Sequence, residues 1–112
     1  MTPRIICHDA NGRWIARAFR DGTGDPFGIE CVATTRDEAI ARLTRWLDWQ
    51  REHMSALDAL QQAERVYHRA VADGAFTVSA DQAEADERRV VSLDAVDRAR
   101  RHLDQVRAGK PE

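Results

Sequence analysis

Four histidines, His8, His53, His68 and His102, and two cysteines, Cys7 and Cys31, are the side chains best suited to hold a metal or move a proton. Their spacing does not assemble a site. No two histidines stand three or four residues apart, the separation that puts two ligands on one helix face, and HExxH, CxxC and Glu-x-x-His patterns are absent. Cys7-His8-Asp9 places a nucleophile, a base and an acid in a row. On a strand, however, neighbouring side chains point to opposite faces, so Cys7 and His8 cannot meet, and Cys7 is better read as a small core hydrophobe. Asp9-Ala10-Asn11-Gly12 resembles the opening of a calcium loop without its later acidic ligands. Gly22-Thr23-Gly24 lacks the Lys-Ser/Thr and the helix start of a phosphate cradle. The expectation is a non-enzymatic chain with no catalytic set, no metal and no cofactor.

Charge is equally restrained. With 17 basic and 19 acidic residues the formal net charge is −2, which gives no global attraction to nucleic acid or to an anionic membrane. Arg98, Arg100, Arg101 and Arg107 cluster near the C-terminus but alternate with Asp94, Asp97 and Asp104, the pattern of a solvated, salt-bridged face. Nucleic acid is therefore not the expected partner. Lys110 is the only lysine. The arginine excess suits carboxylate forks, and GC-rich codon usage explains it equally well. No run approaches a membrane span, no signal-peptide pattern follows Met1, and two cysteines make no disulfide framework. The expected setting is the cytoplasm, with reduced thiols. A length of 112 residues and 43% apolar composition suit one globular domain.

These residues hang on one long helix, expected over residues 36–73. Thr35 and Glu38 form a capping-box pattern, Asp37 and Glu38 place negative charge in the first turn, and no Gly or Pro follows until Gly74, a plausible C-cap. Such a rod is roughly 57 Å long and needs partners along its length. Its apolar residues form two stripes. Ile40, Leu43, Leu47 and Met54 share one face, and Trp46, Trp49, His53, Leu57, Leu60, Tyr67 and Val71 share another.

Residues 4–33 read as a three-stranded antiparallel meander. Asn11-Gly12 between Arg4–Asp9 and Arg13–Phe19 is a strong hairpin signal, because both turn positions require positive φ. A two-residue turn pairs Ala10 with Arg13, Cys7 with Ala16 and Ile5 with Ala18. Ile5, Cys7, Trp14, Ala16 and Ala18 then share one face, whose small residues admit the Ile40–Leu47 stripe, with Phe27, Ile29 and Cys31 joining from the third strand. The opposite face carries Ile6, His8, Ile15 and Phe19 among arginines. It is either a self-association surface or a face half-covered by arginine stems.

After Gly74, Phe76 or Val78 is placed to plug the end of the core, and Ser79 with Gln82 forms a second capping pattern. Val96, Ala99, Leu103 and Val106 recur at helical steps. The last helix spans either about 80–108, the preferred reading, or about 92–108 with Ser92 as N-cap; residues 109–112 are a tail. Folded back antiparallel, it sets Leu103 and Val106 near Trp46 and Trp49, and Val96 near Leu57 or Leu60. An arginine, Arg100 or Arg107, could stack on a tryptophan. Its apolar stripe is too thin to cover the second face of the long helix.

Gly12-Arg13-Trp14-Ile15-Ala16, Gly28-Ile29-Glu30-Cys31-Val32 and Thr35-Arg36-Asp37-Glu38-Ala39-Ile40 follow one another in an order that resembles the HicB-type antitoxins. The resemblance covers residues 4–50. It implies a β-meander leading into a capped helix, and a regulator that binds a small toxin and DNA. The Pro-Gly pair usual before the family's cysteine is missing, and a helical hairpin stands where the family carries a DNA-binding segment.

The fold expected is thus α+β, a meander packed on a long helix and followed by an antiparallel helical hairpin. The function expected is a protein-interaction or oligomerisation module of regulatory or adaptor type, acting as a homodimer or with a small protein partner; the alternative is the HicB-like role. The candidate interface comprises Ile6, Ile15, Phe19, Trp46, Trp49, His53, Leu57, Leu60 and Tyr67.

Overall fold

A computed structural model describes residues 3–75 and 81–111. The elements in order are β1 (Arg4–Ala10), β2 (Arg13–Phe19), β3 (Pro26–Ala33), α1 (Arg36–Ala75) and α2 (Gln82–Ala108). The sheet is antiparallel in the order β1-β2-β3, and a helical hairpin follows it. The fold is α+β. It divides into two compact units, one dominated by the sheet and α1 as far as Gln50, the other running from Arg51 to Lys110.

The first unit is built from its turns outward. Asn11 and Gly12 have φ of 55° and 81°, and the turn they make sets Ala10 against Arg13, Cys7 against Ala16 and Ile5 against Ala18. Between Ala16 and Ala18 the β2–β3 ladder is irregular. Ala16 pairs with Cys31 and Ala18 with Phe27, so Gly28, Ile29 and Glu30 lie opposite Arg17 alone. A bulge of this kind needs a permissive backbone, and Gly28 supplies it with φ 78°.

Ala16, Ala18, Ala33, Ala39, Leu43 and Leu47 form the core of this unit, with Ile5, Cys7, Trp14, Phe27, Cys31, Ile40 and Trp46 packed around them. The alanines let the helix approach the sheet closely enough to bury Leu43 completely. Ile29, expected to join this core, is 41% exposed, because the bulge breaks the alternation that would have turned it inward. Met54, expected on the same stripe as Leu43 and Leu47, is 54% exposed.

Helix α1 starts as its sequence prescribes. The Glu38 N–H donates to Thr35 Oγ1 at 3.2 Å. The Glu38 carboxylate does not return to the Thr35 N–H. It accepts from Thr34 Oγ1 at 3.5 Å and from the Arg42 guanidinium at 3.0 Å, while Arg42 also donates to the Val32 carbonyl at 3.0 Å. The helix continues unbroken past Gly74 to Ala75, so Gly74 is helical rather than a cap.

In the second unit α2 takes the longer of its two expected forms, beginning at Gln82 with Asp81 preceding it and making no side-chain capping bond. Ser92 is an interior, buried residue whose hydroxyl donates to the Arg89 carbonyl at 3.0 Å, not an N-cap. The expectations for Phe76, Val78 and Ser79 lie outside the described residues. Two contacts fix the register of the hairpin. Arg107 Nε donates to His53 Nε2 at 3.3 Å, and a Cβ on Gly74 would lie 3.9 Å from that of Ala85. At equal rise per residue, Leu103 then falls beside Leu57, and Val96 beside Ala63 and Glu64. That is one to two turns away from the expected placement, in which Leu103 and Val106 lie near Trp46 and Trp49 and Val96 near Leu57 or Leu60. The cause is the small-residue seam. Ala56, Ala63 and Ala70 recur every seven residues on α1 and Ala85, Ser92, Ala99 and Val106 on α2, and Ala56, Ala85, Ser92, Val96, Leu103 and Val106 are buried.

Candidate functional site

The titratable residues singled out in the sequence are scattered by the fold. Cys7 packs against the core on one face of β1, while His8 and Asp9 are exposed. Cys31 shares the Cys7 face, since both flank Ala16 on neighbouring strands. Two strand spacings put their Cα atoms roughly 10 Å apart, beyond the ~7 Å a disulfide can span. Burial pushes the Cys31 thiol above its ordinary value, and the nearby Arg42 guanidinium pulls part of the way back. His53 accepts from Arg107, and the Tyr67 ring lies 5.7 Å from that of His68 at a 53° tilt. Among the described residues no group of three or more His, Cys, Asp or Glu stands close enough to hold a metal ion.

The nine residues proposed as an interface fall into three places. Ile6, Ile15 and Phe19 share the sheet face turned away from Ala16 and Ala18. Ile6 is 43% exposed, and Ile15 and Phe19 are half-buried. Ile15 pairs with Val32, which adds a further exposed apolar side chain. Arg17 crosses this face and meets Glu30 at 2.8 Å. Arginine coverage and open apolar surface therefore coexist there. Trp46 belongs to the sheet core: its indole lies over Gly28, with Cζ3 2.6 Å from where a Cβ would stand. Helical spacing alone puts it on the second stripe with Trp49 and His53. The tilt of the indole toward the bulge, a tertiary effect, moves it to the sheet. Trp49, His53, Leu57, Leu60 and Tyr67 are all half-buried along α1. Arg20 stands over an aromatic ring, 5.2 Å from the Phe27 centroid.

A different set of residues lies outside the candidate interface read from the sequence. Val66, Val71, Val90, Val91 and Leu93 are exposed large apolar side chains. The hairpin register places all five at nearly the same height, Val90, Val91 and Leu93 lying alongside the α1 segment from Val66 to Val71. They form an apolar collar around the hairpin. On one side the collar opens into a groove of about 570 Å³ lined by Val66, Arg69, Ala70, Glu84, Glu87, Arg88, Val91, Ser92 and Ala95. Val90-Val91 and Leu93, within an otherwise polar stretch, are the signal that could have identified it.

No helix among the described residues is long and apolar enough to cross a membrane. No family model, curated relative or solved structure matches this chain.

Proposed function

We propose that this chain is a protein-interaction or oligomerisation module, a small cytoplasmic protein of regulatory or adaptor type that performs no covalent chemistry. The observation that carries this reading is apolar surface left open in both units: Ile6 and Val32 on the outer sheet face, and the collar of Val66, Val71, Val90, Val91 and Leu93 on the hairpin. Isolated exposed apolar residues are ordinary on a protein surface, but several gathered at one height are characteristic of a surface that a partner covers.

Sedimentation velocity on the full chain from micromolar to sub-millimolar concentration, combined with recovery of the tagged chain at native abundance, tests the reading. A species heavier than one chain, or a stoichiometric partner, is expected. A single-chain species throughout, recovered alone, overturns it.

A second reading, a HicB-like regulator binding a small toxin, draws support from one feature, the order of a β-meander and a Thr35-capped helix over residues 4–50. Its test is co-expression with a small basic ribonuclease encoded next to it. Neutralisation supports the role, and the absence of any such neighbour counts against it.

A further inference from the structure

We infer that the groove between α1 and α2 at the height of Val66 and Val91 is the seat of a second copy of this chain, so that two hairpins pair into a four-helix bundle about a two-fold axis. The inference rests on the interaction reading above and names its surface and its occupant.

The floor of the groove is small and apolar. Ala70, Ser92 and Ala95 leave a depression, and Val66 and Val91, 55% and 60% exposed, stand as its shoulders. A depression beside protruding side chains is what interdigitation between two helical pairs requires, since each copy offers both the knobs and the hole.

The rim decides the occupant. Arg69 and Arg88 supply two positive charges and Glu84 and Glu87 two negative ones, all exposed. Among the described residues these four make no ion pair, whereas Arg89 and Arg98 nearby are paired with Asp86 and Asp94 on the same helix. An acidic or a basic partner would satisfy half of this rim and be repelled by the other half. A two-fold interface is self-complementary by construction: the patch of one copy meets the same patch of the other, so each copy's arginines can take the partner's glutamates. A balanced, unpaired rim around an apolar floor matches that requirement.

The test uses the full chain and three sets of variants at exposed positions, each checked for unchanged helical circular dichroism. Wild type is expected to sediment as a dimer, twice 12.7 kDa. Val66→Glu with Val91→Glu should weaken dimerisation at least ~100-fold, because two carboxylates would be desolvated without partners. Arg69→Glu with Arg88→Glu, and Glu84→Arg with Glu87→Arg, should each lose self-association when alone. Mixed in equal amounts, the two should form a heterodimer that high salt weakens.

A wild-type dimer that survives Val66→Glu with Val91→Glu overturns the groove while leaving the interaction reading intact, with the Ile6 face as the remaining surface. Charge-reversed variants that fail to pair overturn the two-fold arrangement. A wild-type monomer overturns the inference outright. The interaction reading then stands only if a stoichiometric foreign partner is recovered, and falls with it otherwise.

Discussion

Gly28 and Trp46 are fitted to each other: the indole Cζ3 lies 2.6 Å from where a Cβ on Gly28 would stand. Gly28 also has φ of 78°, a conformation side-chain-bearing residues adopt only at a cost. One position thus carries two independent demands for glycine. Gly28→Ala is expected to destabilise the sheet unit by roughly 2–4 kcal/mol, from left-handed strain and overpacking together. Urea unfolding followed by tryptophan fluorescence checks it. Adding Trp46→Leu should recover the overpacking part and leave the strain, so the two substitutions will not be additive.

The first turn of α1 gives a smaller effect. Thr35→Ala removes the 3.2 Å bond from the Glu38 N–H and should cost about 1 kcal/mol. Thr34→Ala disturbs only a 3.5 Å contact with the Glu38 carboxylate on the exposed surface and should cost less than ~0.5 kcal/mol. Thermal unfolding of the two single variants separates them. Equal losses would show that the carboxylate, not the threonine cap, anchors the turn.

The hairpin seam predicts a contrast between two alanines on one helix. Ala56 is buried and Ala59 exposed. Ala56→Leu forces a larger side chain between α1 and α2 and is expected to cost roughly 1–3 kcal/mol, while Ala59→Leu should stay within ~0.5 kcal/mol of wild type. Hydrogen exchange at α2 amides reads the difference locally.

Alkaline pH should weaken the sheet unit through Cys31. Burial raises its pKa in the folded chain above the ordinary value of 9.0. The folded state therefore holds this proton more tightly than the unfolded state does. The thiol's contribution is complete below the unfolded pKa and is lost as pH rises through the folded one. The difference in urea midpoint between wild type and Cys31→Ala should be constant from neutral pH up to about pH 8 and should move against wild type above the ordinary value. A difference that stays flat well above it would show that the thiolate is accommodated without cost.

Much of this architecture is legible in the chain because its signals are local. Asn11-Gly12 sets the β1–β2 register by turn geometry alone, and Thr35 with Glu38 marks where α1 begins. What was hidden depends on three-dimensional neighbours. Gly28-Ile29-Glu30-Cys31 alternates as cleanly as an unbroken strand, and nothing local announces that three of its residues face one residue of β2. Trp46 shares a helical angle with residues of the second stripe, yet its ring is long enough to reach the bulge. In the hairpin, large residues drew attention to Trp46 and Trp49, whereas Ala56, Ala63 and Ala70 fix the register, because close approach is governed by the smallest side chains. The α2 part of the collar is hidden for the opposite reason: Val90 and Val91 stand on the outside of α2, where no periodic stripe includes them.

The β3 bulge has a further consequence at the sheet's borders. A three-stranded sheet has two open edges, each a row of backbone donors and acceptors able to template another chain. On β3 the extra residues interrupt that row and twist it away from a regular ladder. On β1 the seven residues Arg4–Ala10 keep an uninterrupted repeat. Any foreign strand that extends this sheet, in recognition or in aggregation, will be recruited along β1.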